Sequence, residues 1–556
     1  MKTDTWVDFG LVDVSAKRDA TIECTDKQDF IDLKDLTLEG VYVPKYETLE
    51  PDYWQLDGTF ELFPSNPSIE AFGLWSKQMS GEDGNFPTPI TLTITLLNKH
   101  NITGTGFEFN PHGNIYCNNL NIKYYEDDTL IKELDMFPDN WSYTVKEEIN
   151  NFNKMIITFK SMNVPHRYLK LQSIIYGIMQ RFKDDDLISA NLFEEISLMS
   201  TELPINTMNF TAYSQTNDFN IFNPQGIYNA FEKKQFINVG GTIDGASRGF
   251  GTFYLDEWKS TEDKMMELST VNAIGVMENT YFKGNLYINR TAREVIDEIM
   301  TDAGFAYYID SSLDNIPVNG WIARCSHRQA LQQVCVAIGA YIDTSRSGSI
   351  NIKPSLVTDT DIVIMDMDRK HIGTTVTLNP YVTGVNVTEH TYVLNPEITN
   401  LFEGELGVGQ TEIIFNSPSN VTNIDGGNIL EQGINYCIVD VTTAGNVIIT
   451  GNQYEDNTKT VSVKITDLPK GEKENILELT DATLVNTENG KEVAQRIFNH
   501  YQKRIQQDIS IILDNDAVGK IANIEVYPDN YRQSIIKSLD IDLVGGYVTK
   551  AVVIGE

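Results

Sequence analysis

Thr291-Ala-Arg-Glu-Val-Ile-Asp-Glu-Ile-Met300 opens the stretch, running on to Pro354, whose reading decides the fold. Ala292, Val295, Ile296, Ile299 and Met300 fall on one face at helical spacing, and Gly304 supplies a C-terminal stop. Phe305-Ala-Tyr-Tyr-Ile-Asp310 then reads as a strand. Ser326 can cap a second helix whose apolar stripe is Ala330, Leu331, Val334, Cys335 and Ile338, closed by Gly339. The chain turns through Ser345-Arg-Ser-Gly348 between Ala340-Tyr-Ile-Asp-Thr344 and Ser349-Ile-Asn-Ile-Lys353, a hairpin signature. Each helix has one apolar and one polar side, as a module packed on a sheet requires, and no catalytic residue type stands out.

These residues carry a resemblance. The order helix ending in Ala303-Gly304, aromatic strand, Ser326-His-Arg-Gln-Ala-Leu-Gln-Gln333, Ala337-Ile-Gly-Ala-Tyr341 and a Ser-Gly hairpin resembles the central part of tail hub proteins of bacteriophages and related contractile injection particles. These are the baseplate hub and tail-associated (Tal-like) proteins that form a ring at the tip of the tail tube. Thr201-Glu-Leu-Pro-Ile-Asn206, Asn223-Pro-Gln-Gly-Ile-Tyr228 and the closing Gly545-Gly546 before a final strand are similar to the same family. The resemblance implies a virion protein, made in the host cytoplasm, that forms a homotrimeric ring. Its implied partners are its own copies, the tail tube, distal tail or baseplate proteins, and a spike or tape measure protein.

At 556 residues the chain is too long for one core, which points to several domains. Apolar residues at 41% are enough to fill them. The balance of 43 basic against 78 acidic residues leaves a charge of −35, which repels phosphate backbones and argues against sequence-specific nucleic-acid binding. In a conduit for DNA, as the resemblance implies, such a wall would keep the polyanion from sticking; solubility of a large assembly part is the plainer reading. The N-terminus lacks a signal-peptide core and no run is long enough to span a membrane. Five scattered cysteines suit reduced thiols.

Strand alternation dominates from Ile22 to Gly177, with Ile90-Thr-Leu-Thr-Ile-Thr-Leu96 and Met155-Ile-Ile-Thr-Phe-Lys160 among the clearest runs. The segment resembles the galactose-binding-like (discoidin-like) jelly roll, and Tyr46 to Gly58 leading to Gly73-Leu-Trp-Ser76 is similar to the way such modules begin in phage tail proteins of low-GC Gram-positive hosts. Strands resume at Glu194-Glu-Ile-Ser-Leu198, Met208-Asn-Phe-Thr-Ala-Tyr213 and Gly251 to Trp258. From Pro396 to Asn486 the composition shifts to Gly, Asn, Thr and Val, which reads as an inserted β domain. Val493, Ile497, Phe498 and Tyr501 then mark a helix over 492–504. The expected class is mainly β and multidomain with an α+β hub: a sandwich over 1–180, hub core over 181–395, an inserted β domain over 396–486, and hub core again over 487–556, with small β-barrel-like hub domains and two or three helices.

Candidate chemistry is thin. Cys325, His327 and Cys335 could meet at zinc, but they supply only three ligands and Cys335 lies on an apolar face, so no metal site is expected. Asp184-Asp-Asp186 and Glu126-Asp-Asp128 lack the spaced loop of a calcium cage and read as solvated turns. Gly249-Phe-Gly251 precedes a strand, whereas anion cradling needs a helix N-terminus. No nucleophile elbow accompanies the seven histidines, so neither a catalytic residue nor a cofactor is assigned. Loops of a galactose-binding-like fold can stack sugars on aromatics, which makes Trp54, Trp75, Trp141 and Tyr125 or Tyr124 candidates for contact with a host surface glycan; the alternative is that these rings fill the core.

The expected function is therefore structural, a tail-tip or baseplate hub that ends at Glu556 without an appended lytic domain. A carbohydrate-binding adhesin and a cell-wall or polysaccharide hydrolase are the rival readings, the latter because 78 acidic residues provide many accidental carboxylate pairs.

Overall fold

In the computed structural model the helix read at Thr291 spans Ala292–Ala303 and is closed at both ends by groups the sequence supplies. The Thr291 hydroxyl accepts from the Glu294 N–H, the Glu294 carboxylate accepts from the Thr291 N–H at 2.9 Å, and Gly304 ends the helix at φ +74°. Ser326 and Gln329 form the same reciprocal cap on His327–Ile338, which ends at Gly339. Each such cap contributes on the order of 1 kcal/mol. The two helices pack with a three-stranded sheet in which Ile350–Pro354 lies between parallel Tyr307–Ile309 and antiparallel Ala340–Asp343. Val295, Ile296, Ile299, Leu331, Val334 and Cys335 are fully buried in the core they share. The structure describes residues 2–38, 45–56, 60–67, 71–110, 112–183, 185–214, 219–223, 231, 234–244, 246–262, 264–355, 362–371, 373–468, 470–471 and 473–555. Asp184 and most of Asn223 to Tyr228 lie outside them.

This module sits against a 13-stranded sheet that draws on both ends of the chain. Thr3–Val12 pairs with Gly177–Lys183 on one side and Phe236–Ile243 on the other. The order continues through Ala246–Glu262, Met265–Val271, Thr207–Tyr213 and Leu187–Glu195 to Asn530–Asp542, Val548–Gly555, Ile505–Ile512 and Thr375–Leu378. The strand expected at Glu194 to Leu198 stops at Glu195, where the chain leaves the ladder and the Ile196 N–H turns to the Lys537 carbonyl. The sheet curls on itself, as twisted sheets of this size do. Thr5 Oγ1 donates to the Leu543 carbonyl at 2.6 Å, and the Tyr547 hydroxyl donates to the Asp4 carbonyl at 2.7 Å. The segment 363–378 pairs at one end with Ile521–Tyr527 and at the other with Ile505–Ile512, which closes the C-terminal strands into a barrel-like body. One continuous core, from Val7 and Phe9 to Ala551 and Val553, fills the interior.

Two sandwiches hang from this frame. Between the paired strands Thr3–Val12 and Gly177–Lys183, a four-stranded sheet and a five-stranded sheet bury Ile90, Leu92, Phe107, Ile122, Ile157 and Leu171 between them. Thr3–Val12 thus pairs in the 13-stranded sheet and not in the sandwich. The second sandwich faces Tyr392–Leu406, Gly445–Asp456 and Ser419–Asp425 against Gly409–Ile414, Tyr436–Val441 and Asn428–Gln432. Lys459–Lys464 and Ile476–Leu479 flank Gly384–Glu389 in a separate three-stranded sheet. On it packs the helix Gly490–Tyr501, through Val493, Ala494 and Ile497. Among the described residues three helices have 12 residues and two α-helices have 6, and no helix is long and apolar enough to cross a membrane.

Gly241 is where the curl leaves no room. A Cβ there would stand 1.9 Å from the Tyr547 hydroxyl and 2.6 Å from the Asp4 carbonyl. Gly241→Ala is expected to destabilise the hub by about 1–3 kcal/mol through overpacking, read as a lower midpoint in denaturant unfolding; an unchanged midpoint would mean that the two ends of the sheet are not held together.

Candidate functional site

The aromatic residues proposed for stacking sugars are not brought together. Trp75 is 4% exposed, with its ring against Phe72 at 5.3 Å and Phe30 and Phe63 at 6.2 Å. Tyr124 is fully buried, and its hydroxyl shares a 2.6 Å hydrogen bond with Thr105 Oγ1. Both rings are buried, as in the alternative in which they fill the core. Trp141 packs partly against the sandwich core, Tyr125 lies under the Lys154 ammonium at 5.7 Å, and Trp54 stands 41% exposed. Strand parity separates Tyr124 from Tyr125, since neighbouring residues on a strand face opposite ways.

Beside Trp75 lies a feature that no motif announced. Lys170 and Glu50 form an ion pair with side chains 5% and 1% exposed. The ammonium sits 4.0 Å from the Tyr53 ring centroid and 4.7 Å from that of Trp75. Glu50 also accepts from Thr48 Oγ1 at 2.6 Å and from the Tyr168 N–H at 3.1 Å, so the buried carboxylate is well served. This cluster staples the loop between the sandwich strands Ala20–Cys24 and Leu74–Met79 to the strand Tyr168–Ile175.

Asp35, in the turn Leu33–Thr37, accepts from the N–H groups of Phe72 at 2.8 Å and Gly73 at 3.3 Å. Burial outweighs those donors, and with Asp32 nearby the carboxyl is pushed up to about 7.

The other candidates resolve into packing. His327 is held between Thr280 Oγ1 at 2.8 Å and Asp302 Oδ2 at 2.9 Å. Cys335 is fully buried in the helix core, and burial pushes both the Cys325 and Cys335 thiols up to about 12. Among the described residues no three potential metal ligands are gathered. Gly249 and Gly251 straddle a bulge in the strand Ala246–Glu262. Glu126 and Asp127 form a turn tied by Lys99.

A cleft of about 620 Å³ lies between 195–205, Arg328, Asn379, the end of the helix Gly490–Tyr501 with Lys503, and the strand pair carrying Ile535, Lys537 and Ile554. A second hollow of about 490 Å³ shares Lys503, Ile535 and Ile554 with it and adds Arg532, so the two make one trough. Ile196, Leu198, Met199, Ile535 and Ile554 give it apolar surface. Lys537 pairs with Glu195 at 3.0 Å and Arg328 with Glu278 at 3.3 Å. Burial, and the charges of Lys503 and Lys537, push His500 down to about 4, so its ring is neutral at pH 7. The sequence reading missed this trough because its walls come from segments far apart in the chain, from Glu195 to Ile554.

No protein-family model matches the chain, and no curated protein matches its sequence. Solved structures do resemble it. The 43 kDa tail protein of prophage MuSo2 from Shewanella oneidensis aligns with a TM-score of 0.41 at 8% identity, over 67% of this chain and 95% of that one. The prophage tail protein gp18 from Listeria monocytogenes EGD-e gives 0.39 at 9% identity, over 68% and 91%. A tail protein from Neisseria meningitidis MC58 gives 0.41 at 7% identity, over 68% and 94%. The likeness is loose in all three.

Two outcomes are expected at the N-terminal sandwich. Lys170→Met strands the Glu50 charge and lowers the stability of the sandwich by about 3–5 kcal/mol, while Lys170→Met with Glu50→Gln recovers much of it; differential scanning calorimetry of the two variants separates this from a surface pair, whose loss would hardly register. For Asp35 the folded carboxyl keeps its proton to higher pH than an ordinary aspartate at 3.8, so folding takes up a proton between pH 3.8 and about 7. Stability of the sandwich accordingly falls as pH rises through that window. Asp35→Asn is expected to flatten the fall, and an unaltered pH profile of the unfolding midpoint would rule the burial effect out.

Proposed function

We propose that this chain is a structural component of the tail tip or baseplate of a phage or phage-like contractile particle. It would act as a hub ring, a homotrimer, joining the tail tube to the spike and host-contacting parts. The observation that carries the reading is the module at 291–354. Its residues resemble the tail hub family, and in the structure they form two doubly capped helices and a small sheet packed against the hub. Polar groups that might have served chemistry there are spent on capping and packing: Ser326 and Gln329 close a helix, and both nitrogens of His327 are occupied. The role is one of assembly, with catalysis left to neighbouring proteins.

Edge strands support the same reading. Thr375–Leu378 ends the 13-stranded sheet with Val376 63% and Leu378 64% exposed, an edge of the kind that pairs with another subunit. Tail tube, distal tail proteins and a spike or tape measure protein are the partners this role requires.

The test is made on the particle. Inactivating the gene is expected to yield particles without a tail tip, and cryo-electron microscopy of intact particles should place a threefold ring of this chain at the end of the tube. Complete, infectious particles lacking the chain would overturn the reading.

A further inference from the structure

The inserted sandwich has a composition unlike the rest of the chain. Residues 392–456 hold nine carboxylates, at Glu397, Glu403, Glu405, Glu412, Asp425, Glu431, Asp440, Glu455 and Asp456, and no lysine, arginine or histidine. Glu412 and Glu431 are engaged within the chain, with Arg324 at 2.9 Å and Lys283 at 2.7 Å, and these pairs seat the sandwich on the hub. The far side differs. Tyr392–Leu406 is an edge strand of 15 residues that, among the described residues, pairs with Gly445–Asp456 alone. It exposes Val393 at 51%, Leu394 at 41% and Ile398 at 64%, interleaved with exposed Glu397, Glu403 and Glu405. Proline, charge and bulges keep such an edge from pairing as a strand, and Pro396, the three carboxylates and the register shifts between Leu394 and Ile398 and between Asn400 and Phe402 leave its side chains as the surface it offers.

The hub trough is its complement. In a chain of charge −35 its walls carry Arg328, Lys503, Arg532 and Lys537 against Glu195 and Glu202. Neither Lys503 nor Arg532 has an ion-pair partner among the described residues. His500, held neutral by burial and then by the charges of Lys503 and Lys537, adds no charge to this wall. Ile196, Ile535 and Ile554 line the trough beside these cations, a surface suited to a segment that carries both apolar and acidic side chains.

We propose that the acidic edge strand Tyr392–Leu406 of one copy docks in the basic trough of the next copy, through Lys503, Arg532 and Lys537. The contact is heterologous, since strand and trough are different surfaces of the chain, and repeated by rotation it closes a ring. It deepens the assembly role proposed above and rests on that reading, because it requires copies to meet. Opposite charges across such a contact set register and reject wrong partners as much as they add affinity.

The experiment uses the full chain in analytical ultracentrifugation at low and high salt. Lys503→Glu with Arg532→Glu is expected to weaken self-association at least tenfold, as is Glu397→Lys with Glu403→Lys. Mixing the two variants should restore mixed association, because a reversed strand meets a reversed trough. Circular dichroism and unfolding midpoints equal to those of the parent chain certify folding, and Lys503→Gln with Arg532→Gln serves as a milder second variant. Self-association that is insensitive to all these changes would overturn the docking mode and leave the ring role standing. Absence of self-association in the parent chain, with no copy of it in purified particles, would sink the ring role itself.

Discussion

Thr5 and Tyr547 lie 542 residues apart in sequence, yet their hydroxyl groups approach to 3.2 Å inside the hub, and on this meeting of the chain's two ends the rest of the structure depends. The first strand, Thr3–Val12, has no sandwich to belong to, and it is held by Gly177–Lys183, by Phe236–Ile243 and by the hairpin around Leu543 to Tyr547. Each hydrogen bond adds on the order of 1 kcal/mol net. The larger contribution is apolar: Phe250 and Tyr547 are fully buried and meet edge to face at 5.3 Å. Glycine at position 241 is the geometric condition, because any side chain there would occupy the space of the Tyr547 hydroxyl.

Once the sheet is closed, everything else becomes an excursion from it. The N-terminal sandwich leaves after Val12 and returns at Gly177, two residues that are themselves paired. The second sandwich leaves after Glu389 and returns at Lys459, again a paired couple. A module whose entry and exit lie side by side in a ladder can be long without straining its host, since the entropy of closing a loop grows only slowly with its length. Charge is distributed along the same lines. The buried pair of Lys170 and Glu50 is internal to one excursion, while the other carries nine carboxylates and no cation.

Local signals were legible where they were self-contained. Thr291 with Glu294 and Ser326 with Gln329 are capping boxes that need nothing beyond four consecutive residues, and both helices end at the glycines that the spacing picked out. The C-terminal helix begins at Gly490 and ends at Tyr501, where the apolar stripe over 492–504 placed it to within a few residues. Signals that depend on which face of a strand is covered were not legible. Trp75 and Trp54 look alike as loop aromatics, but one is enclosed by Phe30, Phe63 and Phe72 and the other stands in solvent. Tyr124 and Tyr125 are neighbours, and only the second is open to water.

The amino-acid sequence by itself determined the mainly β class, the capped helices at 291–338 and the acidic balance, because periodicity, caps and charge are properties of short windows. Tertiary structure alone decided that residues 3–12 belong to the hub, that Glu50 and Lys170 share one buried site, and that Arg328, Lys503, Arg532 and Lys537 line a single trough. Those are relations between segments tens to hundreds of residues apart, and they exist only after a curled sheet has set the distances between them.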